Sequence, residues 1–144
     1  MNYEIVDLNE KIVVGFSAKT SNDDPDMRNI IGGLWQRLYG PEGVSEISGR
    51  VNTYSIGLYS DYEEDGTYQV TAGFEVSDKN CKDLFTVKII PAGRYAKFSI
   101  HGDMVTAVAE LWEEIWNTPL ERTFTGDFEE YTSMEGIDIY IAIK

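Results

Sequence analysis

The sequence predicts an α+β protein made of two copies of a strand-strand-helix-strand-strand unit, with antiparallel sheets and two helices around a central groove. Three observations carry this expectation. Short β-rich runs are separated by turn residues, two stretches show helical apolar spacing, and the same order of elements recurs after about 70 residues.

The first β-rich runs are Tyr3 to Leu8 and Lys11 to Thr20, separated by Asn9 and Glu10, and they read as an opening strand pair. Ser21 to Asp26 then supplies capping residues around Pro25. Met27, Ile30, Ile31, Leu34 and Leu38 follow with the spacing of an amphipathic helix, which Gly40 and Pro41 end. Gly32 and Gly33 sit in the middle of that helix at a cost of about 1 kcal/mol each relative to alanine, which close packing against a neighbour is expected to offset. Val51 to Asp61 and Thr67 to Val76 are the next strands, and the pair Asp65-Gly66 marks the hairpin between them.

After the polar connection Ser77 to Asp83 the order begins again. Leu84 to Ile90 and Arg94 to Ile100 are strands on either side of Pro91-Ala92-Gly93. Gly102 and Asp103 cap a second helix, in which Met104, Val108, Leu111, Trp112 and Ile115 share a face with Val105 and Trp116 at its edge. Asn117, Thr118 and Pro119 stop it. Phe124 to Tyr131 and Ile137 to Ile143 form a closing strand pair around a turn containing Gly136. The two halves, about 1–76 and 77–144, belong to a single domain, because neither alone has enough apolar surface to bury a core. Packed side by side they leave a cleft on a pseudo-twofold axis, a common location for a ligand.

Composition narrows the function. The chain has 144 residues, and 25 acidic against 12 basic side chains give a net charge of -13, which repels phosphate backbones and anionic lipid while attracting cations. Direct nucleic-acid binding and membrane association are therefore not expected. Cys81 is the one cysteine, which excludes an intrachain disulfide and a thiolate zinc site, and His101 is the one histidine. No metal or other cofactor is expected. The N-terminus lacks a basic region followed by an apolar core, and no apolar run reaches the ~18 residues of a membrane span, so a cytoplasmic setting is expected.

The segment Asp127-Phe128-Glu129-Glu130-Tyr131 is the most informative. A period of two places Thr125, Asp127, Glu129 and Tyr131 on one side of the strand and Phe124, Gly126, Phe128 and Glu130 on the other. In the following strand Ile137, Ile139, Ile141 and Ile143 define the core face. The first repeat carries Gly57-Leu58-Tyr59 where the second has Asp127-Phe128-Glu129, so Tyr59 and Glu129 are pseudosymmetric partners facing one cleft. Trp35, Trp112 and Trp116 on the helices and Tyr54, Tyr59, Tyr68, Phe74, Tyr131 and Tyr140 on the strands surround it. Ring faces attract cations at roughly 0.5 to 2 kcal/mol per contact, and a carboxylate buried among them must protonate, find hydroxyl donors or meet a cation.

These motifs, taken in order, resemble the GyrI-like or SOUL-type effector-binding domain of multidrug-sensing bacterial regulators, and most of all its stand-alone, integron-associated form. The resemblance rests on Leu34-Trp35-Gln36-Arg37, Ile56-Gly57-Leu58-Tyr59 with Asp61-Tyr62, Ala72-Gly73-Phe74-Glu75-Val76, and Ile90-Pro91-Ala92-Gly93-Arg94-Tyr95-Ala96. It continues through Trp112-Glu113-Glu114-Ile115-Trp116, the Asp127 to Tyr131 segment and Ile139-Tyr140-Ile141-Ala142-Ile143-Lys144, and so spans nearly the whole chain. It implies a pseudo-dimeric fold around a groove, with Glu129 meeting a ligand's positive charge and Trp35, Tyr59, Trp112, Trp116 and Tyr131 forming aromatic walls. The sequence shows no helix-turn-helix segment, so this chain is not expected to bind an operator itself.

The leading expectation is a module that binds lipophilic cationic small molecules; binding is favoured over catalysis, and the choice between them stays open at this point. A second branch of the same fold implies an alternative, a hydrolase of strained cyclopropanoid electrophiles that uses Glu129 as a base. An adaptor that regulates a topoisomerase or a separate DNA-binding chain is the third reading, and it would use the acidic exterior.

Overall fold

Strand pairing ties the two halves of the chain together. The computed structural model describes residues 3–101, 104–133 and 136–144. Its strands are β1 (Glu4–Leu8), β2 (Lys11–Ser21), β3 (Arg50–Ser60), β4 (Thr67–Val76), β5 (Thr86–Ile90), β6 (Gly93–His101), β7 (Asp127–Tyr131) and β8 (Gly136–Ile143). The helices are α1 (Met27–Leu38) and α2 (Met104–Asn117), with a short 3-10 turn at Val44–Glu46. All strand pairs are antiparallel, and the order across the sheet is β1-β6-β8-β7-β3-β4-β2-β5. The α+β class with two helices is as the sequence predicts.

The expected opening pair does not form. β1 pairs with β6, and β5 pairs with β2, so each repeat gives its first strand to the other. Chain reach explains why. Leu8 and Lys11 are three Cα steps apart, about 11 Å at most, yet β1 and β2 stand six places apart in the sheet order, about 29 Å if the sheet were flat. Ile90 and Gly93 pose the same problem between β5 and β6. The sheet must therefore curl until its edges approach, and each two-residue linker crosses the seam instead of turning a hairpin.

The inward face of the curl holds Val13, Ile56, Leu58, Ile90, Tyr95 and Phe128, joined by Val6 and Leu8 from the first strand. The outer face carries the helices. Leu34 and Leu38 of α1 pack on Val14, Phe16, Val70, Ala72 and Phe74, and Leu111 and Ile115 of α2 pack on Ala96, Phe98, Ile137, Ile139 and Ile141. Each such side chain stabilises the fold by about 1.5 to 3 kcal/mol when fully buried. The isoleucine alternation fixes register, because a slip of one residue would turn that whole row away from α2.

Several local expectations change. A Cβ at Gly32 or Gly33 would meet nothing within 4 Å, so packing does not explain these glycines, and alanine at either should stabilise α1 by about 0.5 to 1 kcal/mol. Asp26 makes no side-chain cap; Asp24 closes the turn by accepting from the Thr20 hydroxyl at 3.1 Å and the Asp26 N–H at 2.9 Å. β7 begins at Asp127 instead of Phe124, because Phe124 has a φ of 56° and cannot continue a strand. β5 begins at Thr86, with Phe85 buried in the core before it. Gly136 is the first residue of β8, and the expected cap at Gly102 and Asp103 lies outside the described residues. The Asp65-Gly66 turn is as predicted, with Gly66 at a φ of 90°. No helix among the described residues is long and apolar enough to cross a membrane.

Candidate functional site

The central strands β3 and β7 pair with Leu58 opposite Phe128, Gly57 opposite Glu129 and Tyr59 opposite Asp127. An axis through the Leu58 and Phe128 pair exchanges Tyr59 with Glu129 and Gly57 with Asp127. This is the equivalence the repeat predicts, and it puts all four residues on the helix-bearing face. In the same way Leu34, Trp35 and Leu38 of α1 correspond to Leu111, Trp112 and Ile115 of α2, so a tryptophan from each helix reaches the axis.

Glu129 lies between them, 4% exposed. Its Oε2 accepts from Trp112 Nε1 at 2.8 Å, and its Oε1 accepts from the hydroxyls of Tyr59 and Tyr131, both at 3.3 Å. None of these donors is charged. Burial raises the Glu129 pKa above the ordinary carboxylate value, and the bonds from Trp112, Tyr131 and Tyr59 oppose that rise without cancelling it. Burial, followed by the charge on Glu129, also holds the Tyr59 and Tyr131 hydroxyls well above the usual tyrosine range, so both stay protonated donors. Gly57 makes the arrangement possible. A Cβ there would stand 2.9 Å from Glu129 Oε1 and 3.2 Å from Trp35 Cζ2.

Two residues earlier on the same face, Asp127 is fully buried and differently served. Its Oδ2 accepts from Arg122 Nη2 and from the Tyr62 hydroxyl, both at 2.6 Å, and its Oδ1 accepts from the Ala142 N–H at 2.9 Å. One carboxylate thus has a cationic partner and the other has none among the described residues.

A cavity of about 450 Å³ opens beside this pair. Its walls include Met27, Arg28 and Ile31 from α1, Trp112 and Trp116 from α2, and Tyr59, Tyr62, Tyr68, Arg122 and Phe124 from the strands and loops. Rings follow one another around it: Trp116 to Trp112 at 6.3 Å, Trp112 to Tyr59 at 5.4 Å, Tyr59 to Tyr68 at 5.8 Å, Tyr68 to Tyr62 at 5.8 Å and Tyr62 to Phe124 at 5.6 Å. Such a wall suits a flat or bulky apolar body carrying positive charge.

Of the residues singled out from sequence, Tyr59, Tyr68, Trp112 and Trp116 line the cavity. Glu129 lies behind Tyr59 and Trp112, bonded to both and not itself part of the lining. Trp35 and Tyr131 pack edge to face at 5.3 Å on its other flank and do not line the cavity. Phe74 is a core residue under α1, and Tyr140 stacks on Phe128 at 4.6 Å on the inward face, so neither belongs to the cleft. Sequence reasoning missed Tyr62, Phe124 and Arg122 as wall residues, because they sit in turns and loops where no period sorts side chains. Gly57 had a readable signal, since it falls opposite Glu129 once the two strands are paired. Among the described residues no group of three His, Cys, Asp or Glu side chains could hold a metal ion.

A curled antiparallel sheet with two helices flanking an aromatic cavity, backed by a buried carboxylate, defines a small-molecule effector-binding domain of the GyrI-like kind. The chain belongs to the family described as Cass2, integron-associated effector binding protein, whose model matches residues 4–143. It is 33% identical over 154 residues to YobU of Bacillus subtilis (strain 168), a candidate transcriptional regulator, covering 97% of this chain and 96% of YobU. The integron cassette protein VCH_CASS2, from the mobile metagenome of Vibrio cholerae, has a similar structure with a TM-score of 0.78 at 29% identity, over 99% of this chain and 95% of that one. SAV2435, solved with tetraphenylphosphonium bound, shares the fold with a TM-score of 0.83 at 20% identity, over 100% of this chain and 94% of its own.

Proposed function

We propose that this chain binds hydrophobic cations in the aromatic cavity, with the Glu129 carboxylate as counter-charge and Tyr59, Trp112 and Trp116 as the stacking walls. The observation that carries the reading is the state of Glu129: 4% exposed, held by three neutral donors and lacking a cationic partner. A buried carboxylate so placed is costly when ionised, and a cation arriving in the cavity recovers that cost. The Tyr59 contact, at 3.3 Å, is longer than the Trp112 contact at 2.8 Å, so Tyr59 is the side chain that yields as a ligand approaches Glu129. Trp35 and Tyr131 hold the carboxylate from behind. The tetraphenylphosphonium bound by SAV2435 supports a ligand of this class on this fold.

Titration of intrinsic tryptophan fluorescence with tetraphenylphosphonium tests the reading. The wild-type chain should bind, and Glu129→Gln should lose roughly 10- to 100-fold in affinity, the equivalent of about 1.4 to 2.8 kcal/mol. Equal affinity in the two proteins would remove Glu129 from the role.

A further inference from the structure

Arg122 is a guanidinium with a donor to spare. Its Nη2 reaches Asp127 Oδ2 at 2.6 Å, but its Nε is buried and has no hydrogen-bond partner among the described residues. Arginine commonly meets a carboxylate through two parallel bonds, with Nε and an Nη as donors. Here only Nη2 bonds to Asp127: its Oδ1 accepts from the Ala142 N–H at 2.9 Å, and Nε is left off the carboxylate. Tyr62 shares Oδ2 with Arg122. Asp127 thus meets Arg122 through one nitrogen only, and an orphaned buried N–H is a rare feature that asks for a cause.

The surroundings point toward the cavity, whose wall includes Arg122. The Phe124 ring lies under the guanidinium at 4.4 Å and is 53% exposed, on a backbone with a φ of 56°. That ring touches Tyr62 and Arg122 and leaves about half of its surface to solvent, so it can shift without opening the core. Arg28 lines the same cavity from α1 and has no ion-pair partner among the described residues.

We propose that the cavity contains a second subsite, at Arg122, for a carboxylate, so that the ligands bound best are hydrophobic cations that also carry a carboxylate. This rests on the cation-binding reading above and adds a second pole to it. The cation faces Tyr59 and Trp112, with Glu129 behind them. The acceptor takes the Nε–H of Arg122 once the Phe124 ring shifts. A net charge of -13 would otherwise penalise any added negative group on a ligand, which makes the sign of its effect diagnostic.

The test compares two probes that share one cation, benzyltriphenylphosphonium and (4-carboxybenzyl)triphenylphosphonium, by tryptophan fluorescence. The wild-type chain should bind the carboxylated probe roughly tenfold more tightly, the scale of one charge-assisted hydrogen bond. In Arg122→Met combined with Asp127→Asn, which removes both members of the ion pair together, the order should reverse. Weaker or equal binding of the carboxylated probe by wild type overturns the subsite and leaves the cation-binding reading standing. Persistence of the preference in the double variant also overturns it. Binding of neither probe overturns both readings. Should the double variant fail to fold, Arg28→Met decides: the preference must survive it, and its loss there would place the carboxylate on Arg28 and overturn the Arg122 subsite.

Discussion

Asp127 and Glu129 are two residues apart on one strand and one face, both buried, yet they are built for opposite ends. Asp127 is closed on every side: an arginine, a tyrosine hydroxyl and a backbone amide use both its oxygens. Glu129 is held by an indole and two phenols, none of which offsets a full charge. The first carboxylate is part of the fold, tying the loop before β7 to β8. The second, on the function proposed above, is a charge kept waiting for a cation; its raised pKa records burial that none of its neutral donors offsets in full. Burial alone therefore does not separate the two carboxylates; the charge of their partners does.

The comparison can be broken most forcefully at Asp127. Asp127→Asn leaves the Arg122 charge buried without its partner, and urea unfolding should show a loss of about 3 kcal/mol or more. Glu129→Gln should change stability at neutral pH by less than about 1 kcal/mol, since the amide oxygen still accepts from Trp112. Equal losses in the two variants would erase the distinction. A smaller effect than at Asp127 is expected from Gly57→Ala, which pushes a methyl against the Glu129 carboxylate and the Trp35 ring. About 1 to 3 kcal/mol of strain should appear in unfolding, together with weaker tetraphenylphosphonium binding. Smaller still is Trp112→Phe, which removes one donor and should cost about 1 kcal/mol in stability; because the Trp112 bond lowers the Glu129 pKa, that pKa should rise further in the variant. Carboxylate NMR of the two proteins checks the direction.

Much of this site was legible in the sequence. Two-residue alternation puts Asp127, Glu129 and Tyr131 on one face, and the repeat matches Tyr59 to Glu129 from residue order alone. The tryptophans followed from helical spacing, with Trp112 and Trp116 reaching the cavity. Tertiary facts were not legible. Nothing local tells β1 to pair with β6 rather than β2, because the two-residue linker looks like a hairpin until the curl of the sheet is known. Trp35 and Trp112 occupy equivalent helix positions, and only packing turns one onto Tyr131 and the other onto Tyr59. The Arg122 partner of Asp127 lies in a loop without periodicity, so the contrast between the carboxylates could not be read from residue types.

The most direct test of that contrast is the pH dependence of cation binding. The folded-state pKa of Glu129 is raised by burial, so between the ordinary carboxylate range and that higher value the empty protein keeps a proton that the unfolded chain has lost. Glu129 therefore reduces folding stability as pH rises through that window, and a bound cation, which favours the ionised form, reverses the penalty. Titratable neighbours that sense its charge are the hydroxyls of Tyr59, Tyr131 and Tyr68, all displaced upward and neutral throughout the window. Tetraphenylphosphonium affinity measured from about pH 5 to about pH 8 should rise in the wild-type chain and release a proton on binding, and Glu129→Gln should show neither effect. An affinity that follows the same pH course in both proteins would contradict the assignment of Glu129 as the waiting charge.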